Sequence, residues 1–545
     1  MTTLILYNGP IYTLNPEQPQ ARAIAVRDGR ILAVGSEGKV QAAAGSRAET
    51  INLSGRAVIP GLTDAHVHIT WQGLLAQQVR LADTHSLAEA LQRIAAGAKN
   101  LLPGAWLRGG GWSHTAWGGQ WPTRTDLDRV CPDRPALLVR KDGHSTWVNS
   151  KALELAGITA ATPDPAGGQI QRDRDGEPTG ILLETAQALV RDIVTPPNTD
   201  ERLKALRLAL HEALSYGLTS LHIPPGTNPN DGREALHDLK LLRERGELSV
   251  RCLAHLAATD LDAAIALGVR SGLGDAWLRI GGLKIFADGS LGSETAEMLT
   301  HYEGRRHLGI ATISVEELND LVLRANQAGI SVVIHAIGDA ANRKVLDAIE
   351  GARNHIKSTA ARAENATPGS LSLPNRIEHA QIVHPKDIGR FAALNVIASM
   401  QPIHATSDMQ TADELWGARC ATAYALRTLH EAGATLAFGS DAPVESLNPW
   451  LGIHAAVTRQ RTDATPPGGW YPEQSLSLMD TFRGFCIGPA IASGEASDKG
   501  MLAPGMLGDL AVLTMDPFEM NQANLHTISV DMTIVDGKII FERPT

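Results

Sequence analysis

The hydrophobic pattern of the chain alternates between two periods. Residues 200–217 carry apolar residues at helical spacing and end in glycine, and residues 218–225 (LTSLHIPP) have the apolar, β-branched character of a strand. A second helical segment begins with a capping box, Ser314 with Glu317, and ends at Gly329 before another β-branched run. Repeats of helix, glycine and buried strand are typical of parallel βα units, so the pattern predicts an α/β fold.

Eight segments of the chain have the character of buried parallel strands. Several of them carry polar residues near their carboxyl-terminal ends, where α/β barrels keep their active sites. Eight strands separated by helices predict a (β/α)8 TIM-like barrel, which we expect to span residues 58–500. In chain order the segments are AVIPGLTDAHVHI, LTSLHIPP, SVRCLAHL, LRIGGLKIFADG, SVVIHAIGD, NRIEHAQIV, NVIASMQP and TLAFGSDAP.

The two ends of the chain carry matching hairpin signals. An Asp-Gly pair at 28–29 lies between apolar runs in AIAVRDGRILAVGS, and another at 536–537 lies between them in MTIVDGKIIFE. Asp-Gly in this context is a strong hairpin signal, because both central residues of a type I′ turn need positive φ. We therefore expect a small β-sandwich domain built from residues 1–57 and 501–545. Two unrelated surface hairpins are the alternative.

The spacing of the predicted strands is interrupted between the first and the second. Residues 71–199 form a long insertion that is rich in tryptophan and glycine, as in WLRGGGWSHTAWGGQWPT. Connections at the carboxyl-terminal face of a barrel determine which substrate is admitted, so we expect this insertion to cover the active site. A second irregular stretch, residues 358–375, is predicted to be a surface loop.

Composition narrows the class of partner. The formal charge of −10 argues against nucleic acid, whose phosphates require a basic face. The sequence shows no signal peptide and no apolar run of membrane-spanning length, and we expect a soluble cytoplasmic protein. The cysteines are scattered, which indicates reduced thiols and not a disulfide framework; they are Cys131, Cys252, Cys420 and Cys486.

Six polar residues lie near the ends of the predicted strands. His66 and His68 stand at i and i+2 in the first, and alternate residues of a strand point to the same side. Each residue alone has a structural explanation: a rim histidine, a lysine with its ammonium at the surface, or an aspartate in a turn. Together, imidazoles and a carboxylate at one barrel mouth suit zinc, and also manganese, iron or nickel. The set is His66, His68, Lys284, His335, His379 and Asp441.

Lys284 does not fit a metal site in its ordinary form, because an ammonium carries no lone pair at neutral pH. Two interpretations follow. Reaction with CO₂ would convert the amine into a carbamate whose two oxygens bridge two cations. Otherwise Lys284 stays cationic and orients the substrate beside a single metal ion.

Longer segments narrow the interpretation further: RKDGHSTWVNSKAL, LKIFADGSLGSETA, IHAIGDAAN, IEHAQ and AFGSDAPVESLNPW. With the strand-end residues, they resemble the amidohydrolase superfamily of metal-dependent hydrolases. Within it they are similar to the amidohydrolase-3 branch, the YtcJ-like group that includes N-substituted formamide deformylases. The resemblance covers nearly the whole chain, including PGMLGDLAVLTMDP near its end.

The resemblance implies a role for each candidate residue. It places the two histidines of the first strand and Asp441 on one metal ion, the histidines of the fifth and sixth strands on a second, and carboxylated Lys284 between them. One or two divalent ions are expected, with zinc as the expected metal. His144 matches a position that contacts substrate, although it could instead order its loop. Trp112 and Asp288 complete the predicted substrate-binding set.

The implied reaction is hydrolysis of a carbon–nitrogen bond other than a peptide bond, in an amide such as an N-substituted formamide. A metal-activated hydroxide attacks the carbonyl, and Asp441 is the general base that passes the proton to the leaving nitrogen. A deaminase, an ester or lactone hydrolase, and a metal-binding protein without turnover are the alternatives. The expected partner is a small-molecule amide, with neither nucleic acid nor membrane, and a homodimer remains an open option.

Overall fold

The structure is a computed structural model that describes residues 3–99, 101, 104–226, 234–362 and 371–544. Of the loop predicted at 358–375, residues 363–370 lie outside the described residues, and residues 358–362 belong to the helix Asp339–Arg362, so the predicted loop began too early. In this part of the chain, no helix combines the length and the apolar character needed to cross a bilayer.

Eight parallel strands form the central barrel, and each pairs with the next in chain order. The first and last strands approach each other at the barrel mouth, where the Ala65 N–H donates to the Phe438 carbonyl at 2.9 Å. The predicted (β/α)8 barrel is confirmed. Barrel strands 1 to 8 are Leu62–Asp64, Leu218–Ile223, Arg251–Ala257, Leu278–Phe286, Val332–Ala336, Arg376–His379, Ile397–Met400 and Leu436–Phe438.

Helices connect the strands and pack their apolar faces on the outside of the barrel. The helix Val315–Gln327 illustrates how the local sequence forms these helices. At its start the Ser314 side chain accepts from the Glu317 N–H, and its buried positions Leu318, Val322 and Ala325 form one apolar stripe. The helices between and after the strands are Ile69–Leu75, Thr199–Ser215, Glu234–Glu244, Leu261–Ala266, Val315–Gln327, Asp339–Arg362, Ile388–Leu394, His404–Ser407, Met409–Trp416, Leu426–Glu431, Pro449–Thr458 and Leu478–Ala492.

The segment predicted as the first barrel strand is divided between two sheets. Val58–Pro60 belongs to the sheet built from the chain ends, and Leu62–Asp64 belongs to the barrel. His66 and His68 lie beyond the strand, so the strand periodicity used to align them was wrong. Their backbone is instead fixed by the loop after barrel strand 8: the Asp441 N–H donates to the His66 carbonyl at 2.7 Å, and the His68 N–H donates to the Ala442 carbonyl at 2.9 Å.

Both ends of the chain contribute to one eight-stranded sheet. Its apolar core joins residues from the two ends, including Leu6, Ile24, Val512 and Ile534. A shared core rules out two unrelated surface hairpins. The strands are Thr3–Tyr12, Gln20–Arg27, Arg30–Gly35, Glu49–Asn52, Val58–Pro60, Leu510–Leu513, Val530–Val535 and Lys538–Glu542, and one helix, Glu37–Ala44, packs on it.

The insertion after barrel strand 1 has a sheet and a core of its own. Its six strands are Val79–Arg80, Leu107–Trp112, Ala136–Arg140, Ser145–Val148, Gly168–Arg172 and Pro178–Glu184. The turn between the third and fourth of these, residues 140–144, contributes to the wall of the cavity at the barrel mouth. Its helices are Leu87–Lys99, Arg124–Val130, Ser150–Leu155 and Ala188–Arg191.

Candidate metal centre

A cavity of about 150 Å³ opens at the carboxyl-terminal mouth of the barrel. Its wall combines residues from the strand ends with residues from the insertion. All six residues predicted at the strand ends lie in this wall, namely His66, His68, Lys284, His335, His379 and Asp441. The structure therefore brings the predicted set together.

His66, His68 and Asp441 form the first of two buried groups, among the described residues, that have the composition and spacing of a metal site. The Asp441 Oδ1 atom lies 3.2 Å from His68 Nε2 and 3.5 Å from His66 Nε2. The backbone of Asp441 has φ of 60°, a left-handed conformation that is uncommon for residues other than glycine. Strain of this kind is concentrated at functional sites.

His379, His404 and Asp441 form the second group. The imidazoles of His379 and His404 are stacked, with ring centroids 6.3 Å apart and planes inclined by 7°. His404 Nε2 lies 3.9 Å from Asp441 Oδ2. Sequence analysis missed His404, because the seventh predicted strand was read only as far as Pro402. A histidine just beyond a barrel strand was the available signal.

Lys284 and His335 complete the predicted set. Lys284 is 2% exposed, with its Nζ atom 4.7 Å from the centroid of the Phe286 ring, so it is not a surface lysine. The rings of His335 and His379 have centroids 4.6 Å apart. Lys284 is close enough for its positive charge to disfavour protonation of His66, His335 and His379.

The charge states of these groups suit metal binding. Burial, with the charge of Lys284, lowers the pKa of His66 to about 4, and it holds the pKa values of His335 and His379 well below their ordinary value. Burial alone would raise the pKa of Asp441, but the hydrogen bond from His68 and the neighbouring imidazoles hold it below its usual range. Neutral imidazoles and an ionised carboxylate are the forms that bind a cation.

Three of the histidines are held by an oxygen acceptor on one ring nitrogen. His66 Nδ1 donates to the Glu378 carboxylate, His335 Nε2 to the Gly289 carbonyl at 2.9 Å, and His379 Nδ1 to Gln401 Oε1 at 2.8 Å. Each bond leaves the other nitrogen with a lone pair, as in histidines that bind metals. His66 Nε2 is buried and has no hydrogen-bond partner among the described residues, which is costly unless a ligand binds it. The residues present fit a divalent metal ion.

A second element that sequence analysis missed lies beneath His66. Glu378 is fully buried, and its Oε1 atom accepts from Arg376 Nε at 2.5 Å. Arg376 also contacts His222 Nδ1 at 3.0 Å and donates to the Ala65 carbonyl at 2.8 Å. Two opposite charges within one buried strand were the available signal, since such residues are rarely buried unless paired.

His144 lies in the cavity wall, as expected for a residue that meets substrate. Its Nδ1 atom is 3.0 Å from a carboxylate oxygen of Glu184. Burial opposes protonation, but the carboxylates of Glu184 and Asp142 outweigh it and raise the pKa of His144 to about 9. His144 is therefore a cation at neutral pH.

The two other predicted substrate-binding residues do not line the cavity. Trp112 is fully buried in the core of the insertion, and its indole N–H donates to the Leu138 carbonyl at 2.8 Å. Asp288 is also buried, and its carboxylate accepts backbone N–H groups from Ile337, Gly338 and Glu297 at 2.8 to 3.0 Å. Trp112 thus supports the insertion from within, and Asp288 braces the loops after barrel strands 4 and 5.

Comparison with known proteins decides the family. A sequence profile of the amidohydrolase family matches residues 49–541. The chain belongs to the amidohydrolase family. It is 33% identical to the Bacillus subtilis protein YtcJ, with 99% of each chain covered. It is 30% identical to the N-substituted formamide deformylase of Arthrobacter pascens, over 100% of this chain and 99% of the relative.

A solved structure extends the comparison. A metal-dependent hydrolase from Pyrococcus furiosus superposes with a TM-score of 0.73 at 28% sequence identity, covering 95% of this amidohydrolase and 100% of the other chain. The predicted family is confirmed, and the protein is a member of a family of metal-dependent hydrolases.

Proposed function

We propose that this amidohydrolase hydrolyses the carbon–nitrogen bond of an N-substituted amide, with N-substituted formamides as the first candidates. The observation that carries the proposal is the buried group of His66, His68 and Asp441, in which a single carboxylate faces imidazoles on both sides. The name of the Arthrobacter pascens relative supports the choice of amide.

We propose that the barrel mouth holds one or two divalent ions, with zinc as the expected metal. His66, His68 and Asp441 would hold one ion, His335 and His379 a second, and carboxylated Lys284 would lie between them. A bound divalent ion would polarise the scissile carbonyl and lower the pKa of a water molecule.

Asp441 is positioned to move protons. Its Oδ1 atom faces His66 and His68, while Oδ2 faces His379 and His404. With Oδ1 engaged, Oδ2 can accept a proton from the attacking water and return it to the leaving nitrogen. Protonation matters because an amine anion is a poor leaving group.

The cavity wall favours a substrate without net charge. Three of its cationic side chains are already paired: Arg140 with Asp142, Lys141 with Glu445 at 2.5 Å, and His144 with Glu184 at 3.0 Å. A paired cation has little attraction left for a substrate carboxylate. We therefore infer that the substituent on the amide nitrogen is neutral.

The experiment combines metal analysis with a substrate panel. Protein purified without chelator should contain a divalent metal, and it should hydrolyse N-substituted formamides or other neutral amides faster than esters, lactones or aminated heterocycles. Faster turnover of esters or deaminase substrates would replace the amide assignment. Full activity in protein shown to be free of metal would overturn the site itself, and metal content without any turnover would favour a binding protein.

The role of Asp441 has its own test. Asp441→Asn removes the proton acceptor with little change in shape, so kcat should fall by roughly 10²- to 10⁴-fold while KM changes little. Metal content is measured on the same samples, because the substitution also alters a proposed ligand. A variant with wild-type kcat would show that Asp441 is not the base.

Carboxylation of Lys284 is tested without reference to activity. Protein prepared in ¹³C-bicarbonate should show a carbamate resonance that Lys284→Ala lacks. The variant should lose metal, and added short carboxylic acids should partly restore it by supplying the missing oxygens. A Lys284 side chain that remains an amine in metal-loaded protein would contradict the proposal.

A further inference from the structure

His404 differs from His66, His335 and His379 in the partner of its inner nitrogen. Its Nδ1 atom lies 3.1 Å from Gln381 Nε2, which is an N–H donor and cannot accept. His66, His335 and His379 instead face an oxygen. With the amide in this orientation, His404 Nδ1 is the unprotonated nitrogen of a neutral ring.

The consequence concerns the opposite nitrogen. A neutral imidazole carries one proton, so an accepting Nδ1 leaves the proton on Nε2. His404 Nε2 is buried and has no hydrogen-bond partner in the described part of the protein. It lies in the cavity wall with Asp441 Oδ2 as a neighbour at 3.9 Å. The cavity thus contains a buried N–H group that has no acceptor.

The orientation of Gln381 decides this tautomer. Gln381 Oε1 lies 3.2 Å from the Tyr424 hydroxyl, which donates its single proton either to this oxygen or to Asp408 Oδ2 at 2.9 Å. The backbone of Gln381 is fixed as well, since its carbonyl accepts the Tyr424 N–H at 2.6 Å. A reversed amide would place Oε1 against His404 and give it the tautomer of a metal ligand, so the two arrangements predict different chemistry.

We propose that His404 is a catalytic hydrogen-bond donor and not a metal ligand: its Nε2–H binds the oxygen of the substrate carbonyl as that oxygen becomes negative. The inference rests on the proposed amide hydrolysis. The location of His404 supports the proposal. Of the two carboxylate oxygens of Asp441, the one that faces His404 is Oδ2, the proposed proton acceptor. A preorganised donor aimed at a developing oxyanion acts strongly in a site that excludes water.

Two substitutions distinguish the role of a hydrogen-bond donor from that of a metal ligand. His404→Leu removes the nitrogen, and His404→Gln can present an amide N–H near the place of Nε2. His301→Leu, which changes an exposed histidine away from the cavity, is the matched control. For each variant, kcat and KM are measured on the best neutral amide, and the metal dissociation constant is measured by competition with a chelator.

If His404 is a hydrogen-bond donor, His404→Leu should lower kcat by about 10²- to 10³-fold, as for the loss of one oxyanion donor. The metal dissociation constant should not change. His404→Gln should recover part of kcat. If His404 binds metal, the metal dissociation constant of both variants should instead rise about tenfold or more. That result would overturn the inference, and so would wild-type kcat in His404→Leu.

Nitrogen NMR of protein with ¹⁵N-labelled histidine tests the tautomer independently of turnover. The resonances lost in His404→Gln should be those of a ring protonated at Nε2, and an Nδ1-protonated ring would overturn the inference. If wild-type protein hydrolyses no amide, the proposed function fails, whereas the tautomer and the metal dissociation constant still decide whether His404 is a donor or a ligand.

Discussion

At the scale of single residues, a buried carboxylate beneath His66 orients the imidazole of this proposed metal ligand. Glu378 contacts His66 on one oxygen and Arg376 on the other. Burial would raise the pKa of Glu378, but the guanidinium of Arg376, with His66, holds it well below its usual range. The carboxylate therefore stays ionised, orients the imidazole and increases the basicity of its outer nitrogen.

We expect Glu378→Gln to weaken metal binding without unfolding the barrel. The amide keeps the shape but removes the negative charge, so the metal dissociation constant should rise by roughly 10- to 100-fold. Chelator competition measures it. Glu495→Gln is a control, because Glu495 is also ion-paired, with Lys499 at 2.9 Å, but lies outside the cavity. An equal loss in both variants would mean that the effect is one of general destabilisation.

At the scale of elements, the turn at 140–144 connects the insertion sheet to the barrel. The Asp142 carboxylate accepts the hydroxyls of Ser290 and Ser293 in the loop after barrel strand 4. Lys141 pairs with Glu445 in the loop after barrel strand 8. These polar contacts hold the turn of the insertion at the cavity wall, and we expect them to influence substrate charge and pH dependence.

Breaking the Lys141–Glu445 pair should change which substrates are accepted. Glu445→Gln leaves Lys141 without this counter-ion at the cavity wall, and an unpaired ammonium attracts a carboxylate. We expect kcat/KM for an N-acyl amino acid to rise relative to that of its neutral methyl ester. The ratio of the two values is the measurement, since it is insensitive to the fraction of active enzyme. An unchanged ratio would show that Lys141 does not reach the substrate.

The ion pair of His144 with Glu184 should make the insertion sensitive to alkali. The pKa of His144 is raised from 6.5 to about 9, so its contribution to stability is complete below pH 6.5 and is lost as pH rises to about 9. The difference in melting temperature between wild type and His144→Gln should shrink across this range. Glu184→Gln should abolish the same dependence, and a difference that grows with pH would contradict the assignment.

At the scale of the whole molecule, a buried ion pair joins the sheet of the chain ends to the barrel. Arg251, at the start of barrel strand 3, contacts both oxygens of Asp509 at 2.7 and 3.0 Å. Its guanidinium also lies 4.9 Å from the centroid of the Trp277 ring. The Asp509 carbonyl accepts the Gly61 N–H at 2.9 Å, where the chain passes from the sheet into the barrel.

Removing one partner of this pair should destabilise the protein more than removing both. Asp509→Ala leaves the buried guanidinium with only Asp536 Oδ1, at 3.5 Å, as a counter-ion among the described residues, at a cost of up to about 3–5 kcal/mol, whereas Arg251→Met with Asp509→Leu replaces both charges of the pair by apolar groups. Melting temperatures of the two single variants and the double variant measure the coupling. Losses that simply add would show that the pair is not coupled.

The sequence by itself determined the barrel and most of the candidate metal site. A parallel strand that is covered on both faces appears in the sequence as a short apolar run. This signal depends only on neighbouring residues, so eight apolar runs predicted eight strands. Lys284, His335 and His379 lie at the ends of such runs, and their convergence follows from barrel topology without any knowledge of side-chain contacts.

The tertiary structure decided what depends on residues far apart in the chain. His66 and His68 are aligned by hydrogen bonds to the loop after barrel strand 8. Glu378 contacts a histidine 312 positions away, and Trp112 turns into the core of its own sheet. The tautomer of His404 depends on the orientation of the Gln381 side-chain amide, which lies between His404 and Tyr424. Periodicity fixes the face of an element on which a residue lies, whereas its partner is fixed only when elements pack.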